Sequence, residues 1–227
     1  MTYQIKRLPR TVPSPEGKPV RPEAPDNQRL METVALDPSS WTPELARLTE
    51  QIFDSFAATW AQERGDYRPA PLIDALARGS CPAKGRCLEL GSGTGILTPY
   101  LQSVWQEVVC LDLSIQMLMR QRHGRQIQGD ASSLPFGEGS FNVVVIGDGP
   151  LFARQVARVL SDKGTVIWTN ALGSGAPYFL KTSVLCDAFT LALPDAAWSV
   201  TESEASWGSW VVLHRDEGQQ VVLAPGR

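Results

Sequence analysis

Hydrophobic and polar positions follow three different patterns along the chain. Residues 1–41 are rich in proline and poor in large apolar side chains, so they cannot bury enough surface to offset the entropy lost on ordering. This composition predicts a flexible arm, which is either a solvated tail or a lid over a bound molecule. Apolar residues then recur at spacings of three and four from Thr42 to Arg64, and a shorter pattern of this kind covers 71–78. These spacings predict two N-terminal helices.

Beyond residue 85, short apolar runs alternate with amphipathic segments. The run Val143-Val144-Val145-Ile146 is apolar at every position, as in a strand that is covered on both faces. Strands are predicted at 86–90, 107–111, 125–128, 141–147 and 165–170, with further strands at 198–202, 209–214 and 220–223. Helices are predicted at 94–102, 114–122, 151–160 and 177–193. The alternation of strand and helix implies a parallel sheet with right-handed crossovers.

Composition narrows the class of protein. The 227 residues carry a net charge of −3 and are 43% hydrophobic, which suits a soluble domain and gives no sign of a nucleic-acid binder. The four cysteines are scattered and the two histidines lack metal-ligand spacing, so we expect a reducing compartment and no metal. No apolar run approaches the ~20 residues that span a bilayer, so we expect no membrane span and a cytoplasmic protein.

A glycine-rich segment lies between a predicted strand and a predicted helix. It reads Cys87-Leu88-Glu89-Leu90-Gly91-Ser92-Gly93-Thr94-Gly95. Glycine accepts positive φ and leaves room for a ligand, and a helix that begins near Thr94 would point its free N–H groups into the same space. Ile96 holds the place of the third glycine of a dinucleotide-binding G-x-G-x-x-G, and the G-K-[ST] ending of a phosphate loop is absent. Both differences disfavour an NAD or ATP site.

Acidic residues lie at or near the carboxyl ends of four successive predicted strands. Glu89 lies in the first strand, and Asp112, Asp130 and Asp148 follow the next three. An open α/β sheet binds its ligand at these strand ends, where a carboxylate can accept hydrogen bonds from both hydroxyls of a ribose. A single Asp in such a place is a common cap or turn residue, but four acids on one edge indicate a binding site.

These segments resemble the motifs of class I S-adenosylmethionine (SAM)-dependent methyltransferases. Residues 88–95 resemble motif I, Leu111-Asp112-Leu113-Ser114 resembles the acidic loop, and residues 129–136 resemble the third motif. The Leu134-Pro135-Phe136 triplet is typical of the ubiquinone- and menaquinone-biosynthesis-like branch, methyltransferase type 11. The resemblance covers residues 86–170. It implies an α/β fold with a Rossmann-like, doubly wound sheet of about seven strands, mostly parallel with an antiparallel C-terminal strand, plus N-terminal helices.

The resemblance also implies a domain layout. Residues 1–41 are the proline-rich arm, and residues 42–227 form the methyltransferase domain. Within this domain, 42–80 is an N-terminal helical cap, 86–170 is the SAM-binding core, and 171–227 contains the C-terminal helix and strands.

Roles in cofactor binding follow from the same resemblance. Glu89 and the turn at 91–95 would hold the methionine part of SAM, and Asp112 would bind the ribose hydroxyls. Asp130 would accept a hydrogen bond from the adenine amino group, with Leu113 and Ala131 beside the ring. The implied cofactor-binding residues are Glu89, Gly91, Ser92, Gly93, Thr94, Gly95, Asp112, Leu113, Asp130, Ala131, Gly147 and Asp148.

The acceptor side is less defined by the sequence. Methyl transfer needs a general base only when the acceptor must lose a proton, and the candidates for this catalytic role are Asp148, Tyr67 and His214. His123 follows a predicted helix and is expected to lie far from the chemistry. Four tryptophans either pack in the core or wall an apolar or cationic acceptor pocket. They are Trp60, Trp198, Trp207 and Trp210.

The expected function is transfer of a methyl group from SAM to O, N or C of a small molecule, with S-adenosylhomocysteine (SAH) as product. Two alternatives remain open. One is methylation of a protein or peptide, docked through the basic arm: residues 1–30 carry six Lys and Arg against three Asp and Glu, hence +3, which leaves −6 on the remainder. The other is a SAM-binding regulatory module without catalysis. The sequence does not indicate an oligomeric state.

Overall fold

The computed structural model describes residues 3–17, 25–64 and 67–216. The described residues form eight strands. They are β1 Ile5–Arg7, β2 Arg86–Leu90, β3 Glu107–Asp112, β4 Arg125–Gln128, β5 Phe141–Gly147, β6 Leu160–Asn170, β7 Ala197–Ala205 and β8 Gly208–Asp216. The helices are α1 Pro25–Leu36, α2 Pro43–Phe56, α3 Trp60–Arg64, α4 Pro69–Arg78, α5 Thr98–Gln102, α6 Ile115–Leu118, α7 Ala153–Val159 and α8 Thr182–Ala192.

All eight strands belong to one sheet, in the order β1-β7-β8-β6-β5-β2-β3-β4. Strand β8 runs antiparallel to both of its neighbours, and every other neighbouring pair is parallel. The α/β class and the mostly parallel, Rossmann-like sheet with an antiparallel C-terminal strand are therefore confirmed. The strand predicted at 220–223 lies outside the described residues.

The core is divided by the sheet into two layers. Val144 and Ile146 pack into one layer and Val143 and Val145 into the other, and all four side chains are at most 1% exposed. Successive side chains of a strand point to opposite faces, so this continuous apolar run fills both layers. The carboxyl ends of β2, β3, β4 and β5 then lie together on one edge.

Parts of the segment predicted as a flexible arm are ordered. Strand β1 pairs with β7 in parallel, with Ile5 opposite Val200. Helix α1 buries Met31, Val34 and Ala35 against the core and packs on α8. Apolar residues at helical spacing thus give α1 a buried face despite the low apolar content of the segment. The arm prediction does not hold for these two elements.

The helix predicted from Thr42 to Arg64 is two helices. The Thr42 hydroxyl accepts a hydrogen bond from the N–H of Leu45 (3.2 Å) and Pro43 occupies the first turn, which is a regular start for α2. Helix α2 ends at Phe56, and α3 begins at Trp60 after the buried Ala57. The break brings Trp60 against Phe53 of α2, with ring centroids 5.5 Å apart.

Candidate active site

A cavity opens at the carboxyl ends of β2, β3, β4 and β5, beneath the N-terminal helices. It has an empty volume of about 910 Å³, with its open mouth included. The lining residues are Trp41, Thr49, Phe53, Trp60, Arg68, Glu89, Leu90, Gly91, Ser92, Gly93, Ile96, Leu97, Leu111, Asp112, Leu113, Met117, Gly129, Asp130, Ala131, Ile146, Gly147, Asp148, Gly149, Pro150, Phe152 and Tyr178. This set includes every predicted cofactor-binding residue except Thr94 and Gly95.

The glycine turn places bare backbone on the cavity. Gly91, Gly93 and Gly95 have φ of +66°, +55° and +80°, the left-handed region that glycine adopts without strain. A Cβ added at Gly91 would meet no atom within 4 Å, so open space lies beside this turn. The turn is tied to the next strand because the N–H of Gly91 donates to the carbonyl of Leu111 (2.9 Å).

The helix expected to begin near Thr94 begins only at Thr98. The intervening residues form turns and bends, so the predicted start of this helix is wrong by four residues. Thr94 and Gly95 lie behind the turn. A Cβ on Gly95 would stand 2.7 Å from Cγ of Gln121, and the hydroxyl of Thr94 is buried without a hydrogen-bond partner.

Glu89 is a buried carboxylate at the floor of the cavity. It is 2% exposed, and its Oε2 accepts a hydrogen bond from the Thr98 hydroxyl (2.6 Å) and a weak one from the thiol of Cys110 (3.5 Å). Burial raises its pKa to about 7, against the lowering effect of these two donors. Because burial makes this carboxylate costly to ionise alone, a cationic group that donates hydrogen bonds to it would stabilise its charged form.

Asp112 joins the glycine turn to the loop after β3. Its Oδ2 accepts a hydrogen bond from the N–H of Gly93 (2.7 Å) and its Oδ1 from the N–H of Ser114 (2.8 Å). Burial raises the pKa of Asp112 to about 6, although both backbone donors act in the opposite direction. Each oxygen keeps capacity for a further donor, so the side chain can also accept hydrogen bonds from two hydroxyl groups of a ligand.

Asp130 follows β4 and is the third acidic residue that lines the cavity. Its Oδ1 accepts a hydrogen bond from the N–H of Ser132 (2.7 Å), and its Oδ2 accepts one from the indole Nε1–H of Trp41 (3.0 Å). Trp41 also packs edge-on against Phe152, with ring centroids 5.4 Å apart. No sequence pattern marked Trp41, which lies directly before the Thr42-Pro43 helix start.

Asp148 lies in the cavity but is already paired. It has φ of +50°, an uncommon conformation for a residue other than glycine. Its Oδ2 accepts a hydrogen bond from Nη1 of Arg68 (2.9 Å), and its Oδ1 accepts one from the side-chain amide of Asn170 (3.3 Å) and one from the N–H of Ala171 (3.2 Å). The carboxylate is thus an ion-pair partner, with both oxygens engaged.

An aromatic roof, defined here as Phe53, Trp60 and Tyr178, lines the cavity, and Nε1 of Trp60 lies 3.8 Å from where a Cβ on Gly93 would stand. The centroid of Phe53 lies 5.5 Å from Trp60 and 6.2 Å from Tyr178. Burial, together with the nearby charges of Asp112 and Asp148, raises the pKa of Tyr178 to about 12. Its phenol is therefore protonated and uncharged at neutral pH. The helix predicted at 177–193 begins only at Thr182, so Tyr178 lies in the turn before it.

Two of the three predicted base candidates lie outside the cavity. Tyr67 packs edge-on against Trp207 (5.7 Å between centroids). His214 lies on β8. Its Nδ1 is 2.9 Å from the Thr165 hydroxyl, and its Nε2 is 2.9 Å from the carbonyl oxygen of Gly79. Of the four tryptophans considered for the acceptor pocket, Trp60 alone is among the described lining residues.

The remaining candidate residues have structural contacts. Trp210 is buried and donates to Asp74 (2.6 Å), and Trp198 packs against Phe189. Within residues 3–17, 25–64 and 67–216, no group of three or more His, Cys, Asp or Glu side chains is arranged to hold a metal ion. In the same part of the chain, no helix has both the length and the apolar character needed to cross a membrane.

The parallel sheet, the glycine turn and the row of carboxylates define a Rossmann-like domain of the methyltransferase type. Residues 88–168 match the type 11 family of methyltransferase domains. This match confirms the resemblance to class I SAM-dependent methyltransferases noted in the sequence.

Comparison with known proteins supports the same domain. The chain is 35% identical over 148 residues to the biotin biosynthesis bifunctional protein BioHC of Cellvibrio japonicus, covering 58% of this chain and 28% of that protein. It is 30% identical over 147 residues to a demethylmenaquinone methyltransferase of Mycolicibacterium gilvum, covering 57% and 64% respectively. The match spans less than two thirds of the length of each curated relative. A solved complex of DhpI with SAH aligns at a TM-score of 0.60 and 18% identity, covering 75% of this chain and 97% of that one, which shows the shared fold.

Proposed function

We propose that the protein transfers the methyl group of SAM to a nucleophilic O, N or C of a small-molecule acceptor. The observation that carries this proposal is the meeting of Glu89, Asp112 and Asp130 around one cavity beside the open glycine turn. SAM supplies an electrophilic methyl group on a positively charged sulfur. The protein then has to bind this cofactor, orient the acceptor and exclude water.

The lining residues fit SAM group by group. The open space beside Gly91 admits the methionine part, and the Glu89 carboxylate accepts hydrogen bonds from its ammonium group. Asp112 accepts hydrogen bonds from the two ribose hydroxyls. The binding of a cation near Glu89 favours the ionised carboxylate and offsets the cost of its burial.

The remaining cofactor contacts are assigned on the same basis. Asp130 accepts a hydrogen bond from the adenine amino group, and Leu113 and Ala131 flank the ring. Gly147 and Asp148 border the methionine part. Ser92 belongs to the glycine turn, while Thr94 and Gly95 support the turn from behind and do not touch the cofactor.

A small-molecule acceptor is supported by the shape of the cavity and by the relatives. The aromatic roof, Pro150 and Phe152 form a largely apolar enclosure, as in small-molecule sites. Several relatives are named demethylmenaquinone methyltransferase, a name that also indicates a small-molecule acceptor. No base is assigned, because Asp148 is paired with Arg68, and Tyr67 and His214 do not line the cavity.

Two measurements test the proposal on the full chain. Isothermal titration calorimetry should show that SAM and SAH bind with one-to-one stoichiometry, and incubation with SAM and a panel of phenols, carboxylic acids and amines should release SAH. Failure to bind SAM or SAH would refute the cofactor assignment. Binding of SAM without acceptor-dependent SAH release from any class of acceptor would favour the alternative of a regulatory module.

A further inference from the structure

We propose that Arg68 binds the carboxylate of the amino-acid part of SAM and SAH, and that the cavity thereby selects these molecules over analogues without this carboxylate. The inference rests on the proposed function and adds a specificity-determining residue to it. Arg68 lies outside residues 88–168, which match the methyltransferase family, so none of the motifs in that segment assigns it a role. Three features support this role: an unused donor on Arg68, its place in the cavity, and the hydrogen bonds that already occupy the glycine turn.

Arg68 is a buried cation whose hydrogen-bonding capacity is only partly used. Its side chain is 12% exposed, and its Nη1 donates to Oδ2 of Asp148 (2.9 Å). Arginine and a carboxylate frequently pair through two parallel hydrogen bonds, but the other oxygen of Asp148 accepts hydrogen bonds from Asn170 and Ala171 instead. The Nε–H of Arg68 is buried and has no hydrogen-bond partner. Because a buried donor without a partner carries a free-energy cost, an anionic oxygen of a ligand at this place would be stabilised.

Trp60 locates the guanidinium group of Arg68 beside the glycine turn. The guanidinium carbon lies 4.7 Å from the centroid of Trp60, and Nε1 of the same ring lies 3.8 Å from where a Cβ on Gly93 would stand. Asp148, the ion-pair partner of Arg68, directly follows β5 and was assigned above to the methionine part of the cofactor. Arg68 therefore lies at the end of the cavity that holds the methionine part.

The charges of the lining residues make Arg68 the counterpart of a ligand carboxylate. Four of the described lining residues are acidic, and Arg68 is the only basic residue in the same set. At neutral pH the amino-acid part of SAM carries an ammonium group and a carboxylate group. Glu89 can accept hydrogen bonds from the ammonium group, but the acidic side chains repel the ligand carboxylate. The positive charge of Arg68 offsets this repulsion.

The glycine turn offers the ligand carboxylate few donors of its own. Successive backbone N–H groups in such turns commonly bind anions. In this turn, however, four N–H groups already donate to oxygens of the protein, at 2.7–3.2 Å. They are the N–H groups of Gly91, Ser92, Gly93 and Gly95. We therefore expect the carboxylate to be bound by a side chain, and Arg68 is the basic side chain at this place.

Arg64 provides a comparison on the same aromatic ring. Its guanidinium carbon lies 4.4 Å from the Trp60 centroid, its side chain is 13% exposed, and its Nε–H is also buried without a hydrogen-bond partner. Arg64 is paired with Glu63, however, and it is not among the described residues that line the cavity. Stacking on Trp60 and an unused donor are thus common to both arginines, whereas access to the cofactor space belongs to Arg68.

The test compares SAH with two analogues on the full chain. In 5′-S-(3-aminopropyl)-5′-thioadenosine the carboxylate is absent, and in 5′-S-(3-carboxypropyl)-5′-thioadenosine the ammonium group is absent. The adenosine and the uncharged sulfur are the same in all three molecules, so the ratios of their Kd values isolate each charged group. Isothermal titration calorimetry at pH 7.5 measures these Kd values.

The unaltered protein should bind SAH about 10- to 100-fold more tightly than the aminopropyl analogue, as for one charge-assisted hydrogen bond. Arg68→Gln should bind these two molecules with similar Kd values, because glutamine is uncharged and shorter than arginine. Arg64→Gln is the matched control and should keep the ratio of the unaltered protein. Glu89→Gln should lose the preference for SAH over the carboxypropyl analogue and keep the preference for SAH over the aminopropyl analogue, which separates the two ends of the amino-acid part.

The outcomes separate this inference from the proposed function. Equal binding of SAH and the aminopropyl analogue by the unaltered protein would overturn the inference without any variant. A preference for SAH that is retained in Arg68→Gln, or lost equally in Arg64→Gln, would overturn the role of Arg68. In each case binding of SAH leaves the proposed function in place, whereas a protein that binds neither SAM nor SAH refutes the proposed function itself. If Arg68→Gln does not fold, Arg68→Lys, which keeps the charge but not the fork of donors, should show a reduced preference, and an undiminished one would count against the guanidinium contact.

Discussion

Replacement of Glu89 by glutamine is expected to stabilise the cofactor-free protein and, at the same time, to weaken its binding of SAM. Burial raises the pKa of the Glu89 carboxyl from 4.5 to about 7. The folded protein therefore binds more protons than the unfolded chain between these two pH values. Stability falls as the pH rises through this window, and the full cost is present above pH 7.

The size of the effect on the free energy of unfolding follows from the difference between the two pKa values. Each pH unit corresponds to about 1.4 kcal/mol, so the ionised Glu89 carboxylate lowers the free energy of unfolding by about 3 kcal/mol at pH 8. Glutamine removes the charge but keeps an oxygen for the hydroxyl of Thr98. We expect urea denaturation of Glu89→Gln to show a gain of about 2–3 kcal/mol at pH 8 and less than about 1 kcal/mol at pH 5.

Calorimetry on the same variant measures the effect on function. The SAM affinity should fall about 10- to 100-fold, because a hydrogen bond between charged groups contributes about 1.5–3 kcal/mol. Glu107→Gln is the matched control, since Glu107 lies on the neighbouring strand β3 with its side chain 49% exposed. The same stability gain at pH 5 as at pH 8, or an unchanged SAM affinity in Glu89→Gln, would refute the reasoning.

Three further substitutions test other parts of the site. Asp112→Asn turns an amide N–H toward one of the two backbone N–H groups that Asp112 binds at 2.7 and 2.8 Å. The Kd for SAM, measured by calorimetry, should therefore rise about 100-fold. Asp162→Asn, at a side chain that is 95% exposed, is the control and should leave this Kd unchanged. Gly95→Ala should lower the free energy of unfolding by about 1–3 kcal/mol, because φ at this position is +80° and the added Cβ would lie 2.7 Å from the side chain of Gln121. Gly175→Ala, whose Cβ would meet no atom within 4 Å, should change the free energy of unfolding by less than about 0.5 kcal/mol. Thermal or urea unfolding measures both. His214→Gln should change neither SAM affinity nor kcat, and a large drop in kcat at unchanged stability would restore His214 as a catalytic candidate.

The cofactor half of the cavity could be predicted from the sequence because its determinants are local. The glycine turn follows its strand directly, and Asp112 and Asp130 follow theirs, so the periodicity that locates the strands also locates these residues. The parallel order of the sheet then places all of them on one edge. The start of α5 was misplaced because the glycine turn continues for several residues before a regular helix can form.

The contacts of Arg68 and Trp41 could not be predicted in this way because they join distant segments. The ion pair between Arg68 and Asp148 spans 80 positions, and the hydrogen bond from Trp41 to Asp130 spans 89. No periodic pattern marks such pairs. Trp41 lies in the proline-rich segment that was predicted to be an arm, and Tyr178 was placed in a helix that begins only at Thr182, so the sequence patterns oriented neither side chain toward the cavity.

The pairing of β1 with β7 has a consequence for how the chain folds during synthesis. Ile5 lies opposite Val200, which is 195 positions later (200 − 5). At a synthesis rate of about 5–20 residues per second, β1 waits roughly 10–40 s before its partner strand exists. Strand β1 is thus made long before it can be incorporated into the sheet, and until β1 pairs with it, the edge of the newly made β7 stays open to pairing with another chain.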